Sequence, residues 1–342
     1  MRTILLVLLG GLVAVNPIAP GKAGEVSLLQ GHTFGTHYEI SLRLENGADE
    51  RLASIHTDIR GLFDRVDRQM STWRQDSEIN RLSRQPPAEW MPLSASLFEV
   101  LVLGQRVAAE TNGAFDMTVG ELVDLWGFGP GGAVAGVPAD SRIEAALTHA
   151  GYDRLELDAE RRAARRLARF RMDLSGIAKG YAVDEVARYL DDQGVEHYLI
   201  NIGGDMRARG RPAAERRWLV AVEAPDPNLL GQPYTVIPLS GIAVASSGSY
   251  RDFVESDGQR LGHIIDPRSG RPVDHAEVAV TVLHDSATHA DAYATGLLVM
   301  GEDAAEFASR HDLKVMLVRR TDDGFKGWRS TAMKGYLAET ID

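Results

Sequence analysis

The stretch MDLSGIAKGYAVDEVA, residues 172–187, reads as the end of an extended segment, a small-residue turn and the first turns of a helix. Val183, Val186, Ala187 and Leu190 recur on one helical face, and Gly194 supplies the stop. Before it, 155–157 and 170–174 read as two arms of a hairpin. After it come apolar strands at 197–202, 218–223, 234–239, 242–245 and 278–283, helices at 289–300 and 303–311, and a closing strand at 314–319. Toward the N-terminus, 36–44 alternates as an early strand. Residues 50–69 carry Ile55, Ile59, Leu62, Phe63 and Val66 at helical spacing, and a second helix starts at the Ser94 cap and ends at Asn112-Gly113. Helices and strands mix without a βαβ rhythm, so the expected class is α+β with largely antiparallel strands in one compact unit. No internal repeat or long linker interrupts it.

Composition narrows the chemistry. The 342 residues include 37 Lys+Arg, 48 Asp+Glu and no Cys, for a formal charge of −11. Zero cysteine excludes thiolate zinc sites, iron–sulfur clusters, a cysteine nucleophile and a lipoprotein anchor. The acidic balance argues against a general nucleic-acid binder. Six arginines between 160 and 171 form the main basic run; without interleaved aromatics it reads as a solvated hairpin tip, with partner docking as the other reading. Residues 4–15, ILLVLLGGLVAV, are too short to span a bilayer comfortably but fit a signal-peptide core, with Gly21-Lys22-Ala23 at the cleavage position. A buried N-terminal strand or helix is the alternative. Removing 1–23 takes Arg2 and Lys22 and moves the charge from −11 to −13. The mature domain, 24–342, is then expected to be exported to the periplasm, soluble or weakly membrane-associated, with an uncleaved anchor as the other possibility.

Four segments carry candidate chemistry. In 172–181, Lys179 and the N–H groups of a helix start suit a phosphate, or the segment is an ordinary strand-to-helix turn; it lacks the spacing of a G-x-x-x-x-G-K-[ST] loop. Asp291 and Thr295 are i and i+4 on a helix, a hard-oxygen pair suited to Mg²⁺ or a capped, solvated face. His263 stands where a strand enters a Pro/Gly loop, fit for catalysis or for structure. Trp73, Phe115, Trp126 and Phe128 lie near glycine turns, where aromatics either sandwich a planar ring or pack a core. Asp285-Ser286-Ala287-Thr288 reads as a turn capping the Asp291 helix.

Together the chain resembles the ApbE family of FAD:protein FMN transferases. The matching pieces are FGTHYEI (34–40), MSTWRQDSEINRL (70–82), GAFDMTVGELVDLWGFGP (113–130), MDLSGIAKGYAVDEVA (172–187), NIGGDMRARG (201–210), SSGSYRDF with HIIDPRSGRPV (246–273) and ADAYATGLLVMG (290–301). They stand in family order from about 34 to 318. The resemblance implies an ApbE-like, T-fold-like domain, FAD as substrate, Mg²⁺, and transfer of FMN to a threonine of an acceptor flavoprotein with release of AMP. It implies a flavin site of Phe34, Trp73, Ala114, Phe115, Asp116, Asp173, Lys179 and Ile265. The metal would be held by the Gly176 backbone oxygen, Asp291 and Thr295. His263 is the candidate for deprotonating the acceptor hydroxyl. Hydrolysis of FAD to FMN and AMP, or FAD binding without turnover, are the competing functions. The implied partner is the acceptor subunit of a membrane redox complex. Phe34 replaces a common Met, Ala294 stands where some members carry a second Asp, and Asp285-Ser286-Ala287-Thr288 partly resembles the family's acceptor pattern, with the capping turn as the other reading.

Overall fold

Every residue of the strand Tyr198–Ile202 is buried, because both faces of its sheet are covered. Tyr198, Ile200 and Ile202 join a large core beneath helices, whereas Leu199 joins a second core on the opposite face. The protein is described from a computed structural model, which covers residues 12–14, 26–44, 48–132, 136–214, 216–226, 232–249, 253–256 and 259–336.

In chain order the first half comprises β1 (Leu12–Ala14), β2 (Val26–Thr33), β3 (Thr36–Arg43), α1 (Ala48–Met70), α2 (Glu78–Arg84), β4 (Met91–Pro92), α3 (Ala95–Glu110), α4 (Gly120–Leu125) and α5 (Asp140–His149). There follow β5 (Leu155–Asp158), β6 (Ala163–Arg166), α6 (Ala178–Asp192), β7 (Tyr198–Ile202), β8 (Asp205–Arg209), β9 (Trp218–Glu223), β10 (Pro233–Leu239) and β11 (Ile242–Gly248). The rest is β12 (Phe253–Ser256), β13 (Gln259–Gly262), β14 (Ile265–Asp266), β15 (Arg271–Pro272), β16 (Glu277–His284), α7 (Ala287–Met300), α8 (Ala304–Arg310), β17 (Lys314–Thr321) and β18 (Gly324–Arg329).

One eight-stranded sheet, in the order β18-β17-β16-β11-β8-β7-β3-β2, organises the molecule, and its neighbours pair antiparallel throughout. The class is therefore α+β, as the sequence indicates. Successive residues of β11 sort to opposite cores, Ala243 and Ala245 to the helical side and Ile242 and Val244 to the other. That is the period-2 pattern of a strand buried on both faces. Trp218, Val220, Ile237 and Leu239 of β9 and β10 close the second core. β1, which falls within the expected leader, pairs with β9; of residues 1–25 only these three are described.

The hairpin expected from 155–157 and 170–174 forms differently. β5 pairs with β6, Leu155 opposite Arg166, around a turn in which Arg162 has φ 48°. Residues 170–174 are not a strand; their backbone is taken up by Arg171 O accepting from Gly120, Asp173 N–H donating to Met117 O, and Met172 N–H donating to Ser83 Oγ. Nor is the arginine run wholly a solvated tip. Arg166 is buried and donates to the carbonyls of Phe170 and Gln85, and Arg165 pairs with Glu156 and lies over Trp90. β12 pairs antiparallel with β13, Phe253 opposite Gly262. Of the strands in the large sheet, β2, β8 and β18 are not among those read from the sequence.

Helix α7 lies against β11, β16 and α6 and is buried almost all round. Its first turn is capped from a neighbouring helix. The Asp184 carboxylate accepts from Ala287 N–H at 3.0 Å, Thr288 N–H at 2.9 Å, and the Ser286 and Thr288 hydroxyls at 2.7 Å each. Arg207 of β8 donates to it at 2.6 Å. Burial pushes the Asp184 carboxyl up, but these hydrogen bonds outweigh it and hold it below the ordinary 3.8. A depressed folded-state value means the stabilisation is complete above the unfolded value and is lost as pH falls through the folded one. Asp184→Ala, which strands the Arg207 charge and the α7 donors, is expected to cost about 3–5 kcal/mol in urea unfolding at neutral pH. The variant should also lose part of the acid-limb decline that the parent shows below pH 3.8.

Candidate active site

The site grows from the approach of α6 to α7. Gly180 makes that approach possible: a Cβ there would lie 2.3 Å from Ala287 O and 2.8 Å from Asp291 Cβ. With no side chain in the way, Gly180 N–H donates to Asp291 Oδ2 at 3.0 Å. Lys179 Nζ then lies 2.7 Å from Asp205 Oδ2 and 3.3 Å from Asp291 Oδ1. Both carboxylates are buried, which normally disfavours charge. Burial opposes the Lys179 charge, but Asp205 and Asp291 more than offset it and hold the ammonium above its ordinary range. Asp205 is pushed up by burial and by Asp291, against the pull of Lys179.

The helix start therefore differs from the sequence expectation of free phosphate donors. Ala178 N–H donates to Leu174 O, Tyr181 N–H to Ile177 O, and Gly180 N–H to Asp291. An oxyanion would meet the Lys179 side chain more than a row of open amides. On the next turn of α7, Thr295 Oγ1 is 3.2 Å from Ser247 Oγ. A Cβ at Gly176 would come within 2.9 Å of Thr295 Oγ1 and 3.3 Å of the Phe115 ring, so only glycine leaves that corner open.

Above this floor opens a cavity of about 1070 Å³. Its wall includes all twelve residues singled out from the sequence: Phe34, Trp73, Ala114, Phe115, Asp116, Asp173, Gly176, Lys179, His263, Ile265, Asp291 and Thr295. They arrive from widely separated segments. Phe34 sits in the β2–β3 turn with φ 50°, edge-on to Phe63 at 5.8 Å. Trp73 is 66% exposed at the rim, whereas Phe115 is buried at 4%. His263 faces the Phe128 ring edge-on at 6.3 Å. Asp116 has a mainly structural part: Oδ1 accepts from Thr118 N–H and Oγ1, and Oδ2 from Tyr152 N–H at 2.9 Å. Burial raises its carboxyl despite these bonds. Asp173 Oδ1 accepts from Ser175 N–H at 2.8 Å and shapes the turn before α6.

Asp205, Ser247 and Glu223 were not named from the sequence. Asp205 belongs to the quoted NIGGDM segment, where Gly203 and Gly204, with φ 58° and 98°, form the β7–β8 turn. A buried acid directly after such a turn was the available signal. Glu223 is a buried carboxylate ending an apolar strand and lines the cavity. Thr288 is buried with its hydroxyl on Asp184, so 285–288 is the capping turn and not an exposed acceptor.

Among the described residues, the charged groups of the cavity wall are one ammonium, Lys179, against the carboxylates of Asp67, Asp116, Asp173, Glu223 and Asp291. Asp291, Thr295, Ser247 and Gly176 offer oxygen and no nitrogen or sulfur, a donor set that fits Mg²⁺. Aromatic and apolar groups at the mouth with oxygen donors and one ammonium at the floor define an α+β protein whose cavity suits a planar ring above a hard-cation site. Residues 34–317 match the model of the ApbE family, and the chain belongs to that family. It is 38% identical to the FAD:protein FMN transferase of Vibrio cholerae over 320 residues, covering 93% of this chain and 95% of that one. Among solved structures it superposes on the flavin transferase ApbE from Vibrio cholerae with TM-score 0.83 and 37% identity, covering 92% of this chain and 99% of that one. It superposes on the apo flavinyl transferase ApbE of Pseudomonas stutzeri with TM-score 0.85 and 31% identity, covering 94% and 100%.

Lys179→Met removes the cation between two buried carboxylates and is expected to destabilise the fold by roughly 3–5 kcal/mol in chemical unfolding. Combining it with Asp205→Asn should restore part of that loss, because one of the uncompensated charges is gone.

Proposed function

We propose that this protein transfers FMN from FAD to a threonine hydroxyl of an acceptor flavoprotein and releases AMP. The observation that carries the proposal is the cavity floor, where one ammonium and an all-oxygen donor set lie beneath an aromatic mouth. Family membership supports the same activity. Phe34, Trp73, Ala114, Phe115 and Ile265 would hold the isoalloxazine ring. Asp116 and Asp173 would contribute by fixing the loops that border it. Gly176, Asp291 and Thr295 would hold Mg²⁺, with Ser247 orienting Thr295. The Mg²⁺ would offset diphosphate charge and polarise the reacting phosphoryl oxygens.

Lys179 supplies the positive charge that the chain itself directs at the diphosphate, and Asp205 keeps it charged and in place. His263 takes the proton from the acceptor hydroxyl. The threonine oxygen bonds to the phosphorus on the riboflavin side, the pyrophosphate bridge breaks, and AMP leaves with the bridging oxygen. Glycine at 176 and 180 keeps the floor open and the helices close. Asp205 lies in the same buried cluster as Asp291, so Ala294 does not leave that carboxylate as the cluster's sole acid. A cleaved leader at 1–23 would put the mature enzyme in the periplasm, and its acceptor would be a subunit of a membrane redox complex exposed on that side. No helix among the described residues is long and apolar enough to cross a membrane.

Incubation with FAD, Mg²⁺ and a purified acceptor domain should give flavin fluorescence that survives denaturation, with one AMP per flavin attached. Asp291→Ala should lower that rate by about 10²-fold or more at limiting Mg²⁺. His263→Ala should lower it by about 10²–10⁴-fold while FAD binding persists. Free FMN and AMP without labelled acceptor would instead mean hydrolysis; FAD binding without AMP release would mean a carrier.

A further inference from the structure

A second recess, of about 360 Å³, lies on the β2–β3 hairpin and is lined by Gln30, His32, His37, Glu39 and Asn201. Thr33 and Thr36 close the two-residue turn Phe34-Gly35, whose φ values of 50° and 74° are the left-handed pair of a type I′ hairpin. The next pair inward, His32 opposite His37, is then a non-hydrogen-bonded pair, the position where facing side chains come closest. The two rings indeed lie 3.6 Å apart between centroids, tilted by 58°. Both histidines are exposed, so nothing in the core requires imidazoles there.

Two residues along β3, Glu39 points to the same face and is half-buried. Burial pushes its carboxyl up, and no hydrogen bond or ion pair with another described residue engages it. Asn201 stands opposite Glu39 on β7. Two imidazoles with a spare carboxylate nearby form a donor set different from the all-oxygen floor of the main cavity. Nitrogen donors favour borderline transition metals over Mg²⁺.

We infer that His32 and His37 together bind one divalent transition-metal ion, with Zn²⁺ as the test ion, and that Glu39 supplies the neighbouring negative charge. Two imidazoles on one tetrahedral Zn²⁺ stand roughly 5 Å apart between centroids, so the two exposed rings would turn apart from their 3.6 Å contact to share the ion; among the described residues no three His, Asp or Glu side chains converge at ligand spacing, and water would complete the shell. The ion would bridge edge strand β2 to β3 one residue pair inward from the Thr33–Thr36 pair that closes the turn, and so stiffen the turn that presents Phe34 to the main cavity. The inference is independent of the transfer activity, since it uses none of the residues of the cavity floor.

The test is titration of the metal-stripped full chain with Zn²⁺ in saturating Mg²⁺, followed by calorimetry and by histidine ¹H–¹⁵N spectra. Ring signals of His32 and His37 are expected to shift together at substoichiometric Zn²⁺. His32→Ala and His37→Ala should each weaken the tightest Zn²⁺ isotherm by at least about tenfold, with the metal-free urea midpoint unchanged. An unchanged isotherm in the double variant, or Zn²⁺-induced shifts confined to other histidines, would overturn the assignment.

Discussion

The buried contact of Lys179 with Asp205 and Asp291 is the constraint on which the rest of the site depends. It ties α6, β8 and α7 together at one point, with the ammonium 2.7 Å from one carboxylate and 3.3 Å from the other. Charges placed there are costly unless paired, so these three elements cannot shift independently. Asp184 fixes the same helix pair one turn further along α6 by accepting the first donors of α7. Between these two ties, Gly180 sets the helix separation. The cavity floor is thus a consequence of helix packing and needs no separate loop to build it.

The same arrangement addresses how an acidic chain would admit an anionic dinucleotide. One ammonium among several carboxylates does not make the wall attractive to a diphosphate. The helix start adds little, because its amides are engaged by Asp291 and by internal carbonyls. Under the proposed function a bound divalent cation would supply the missing positive charge, and the open corner between Gly176 and Thr295 is where oxygen donors are available for it. The apolar mouth, with Phe34 and Trp73 at its edge, contributes area for a planar ring and little charge.

Much of this was legible in the sequence where local pattern and burial agree. The helix of residues 50–69 appears as α1, the Ser94 cap accepts from Leu97 N–H as expected while its hydroxyl donates to Glu78, and β9 has the expected ends. Legibility failed where partners, not periodicity, decide. β2 and β18 are the edge strands of the large sheet, with mixed exposure that weakens alternation. The arginine-rich β6 pairs early with β5 because Arg162 adopts a left-handed turn conformation, which no apolar pattern announces. Within the site, all twelve residues indicated by the motifs share one cavity. Asp205 was overlooked since a single acid in a strand acquires meaning only when Lys179 and Asp291 are seen beside it. The roles of Asp116 and Asp173 likewise emerge from which amides their oxygens accept.

The most direct measurement is a crystal structure of the protein with FAD and Mn²⁺ in place of Mg²⁺, using anomalous scattering to locate the ion. A peak within coordination reach of Asp291 Oδ, Thr295 Oγ1 and the Gly176 carbonyl, with the diphosphate beside Lys179, is the expected outcome. A metal peak elsewhere in the cavity, or a diphosphate bound away from Lys179 with the floor left vacant, would contradict this organisation of the site.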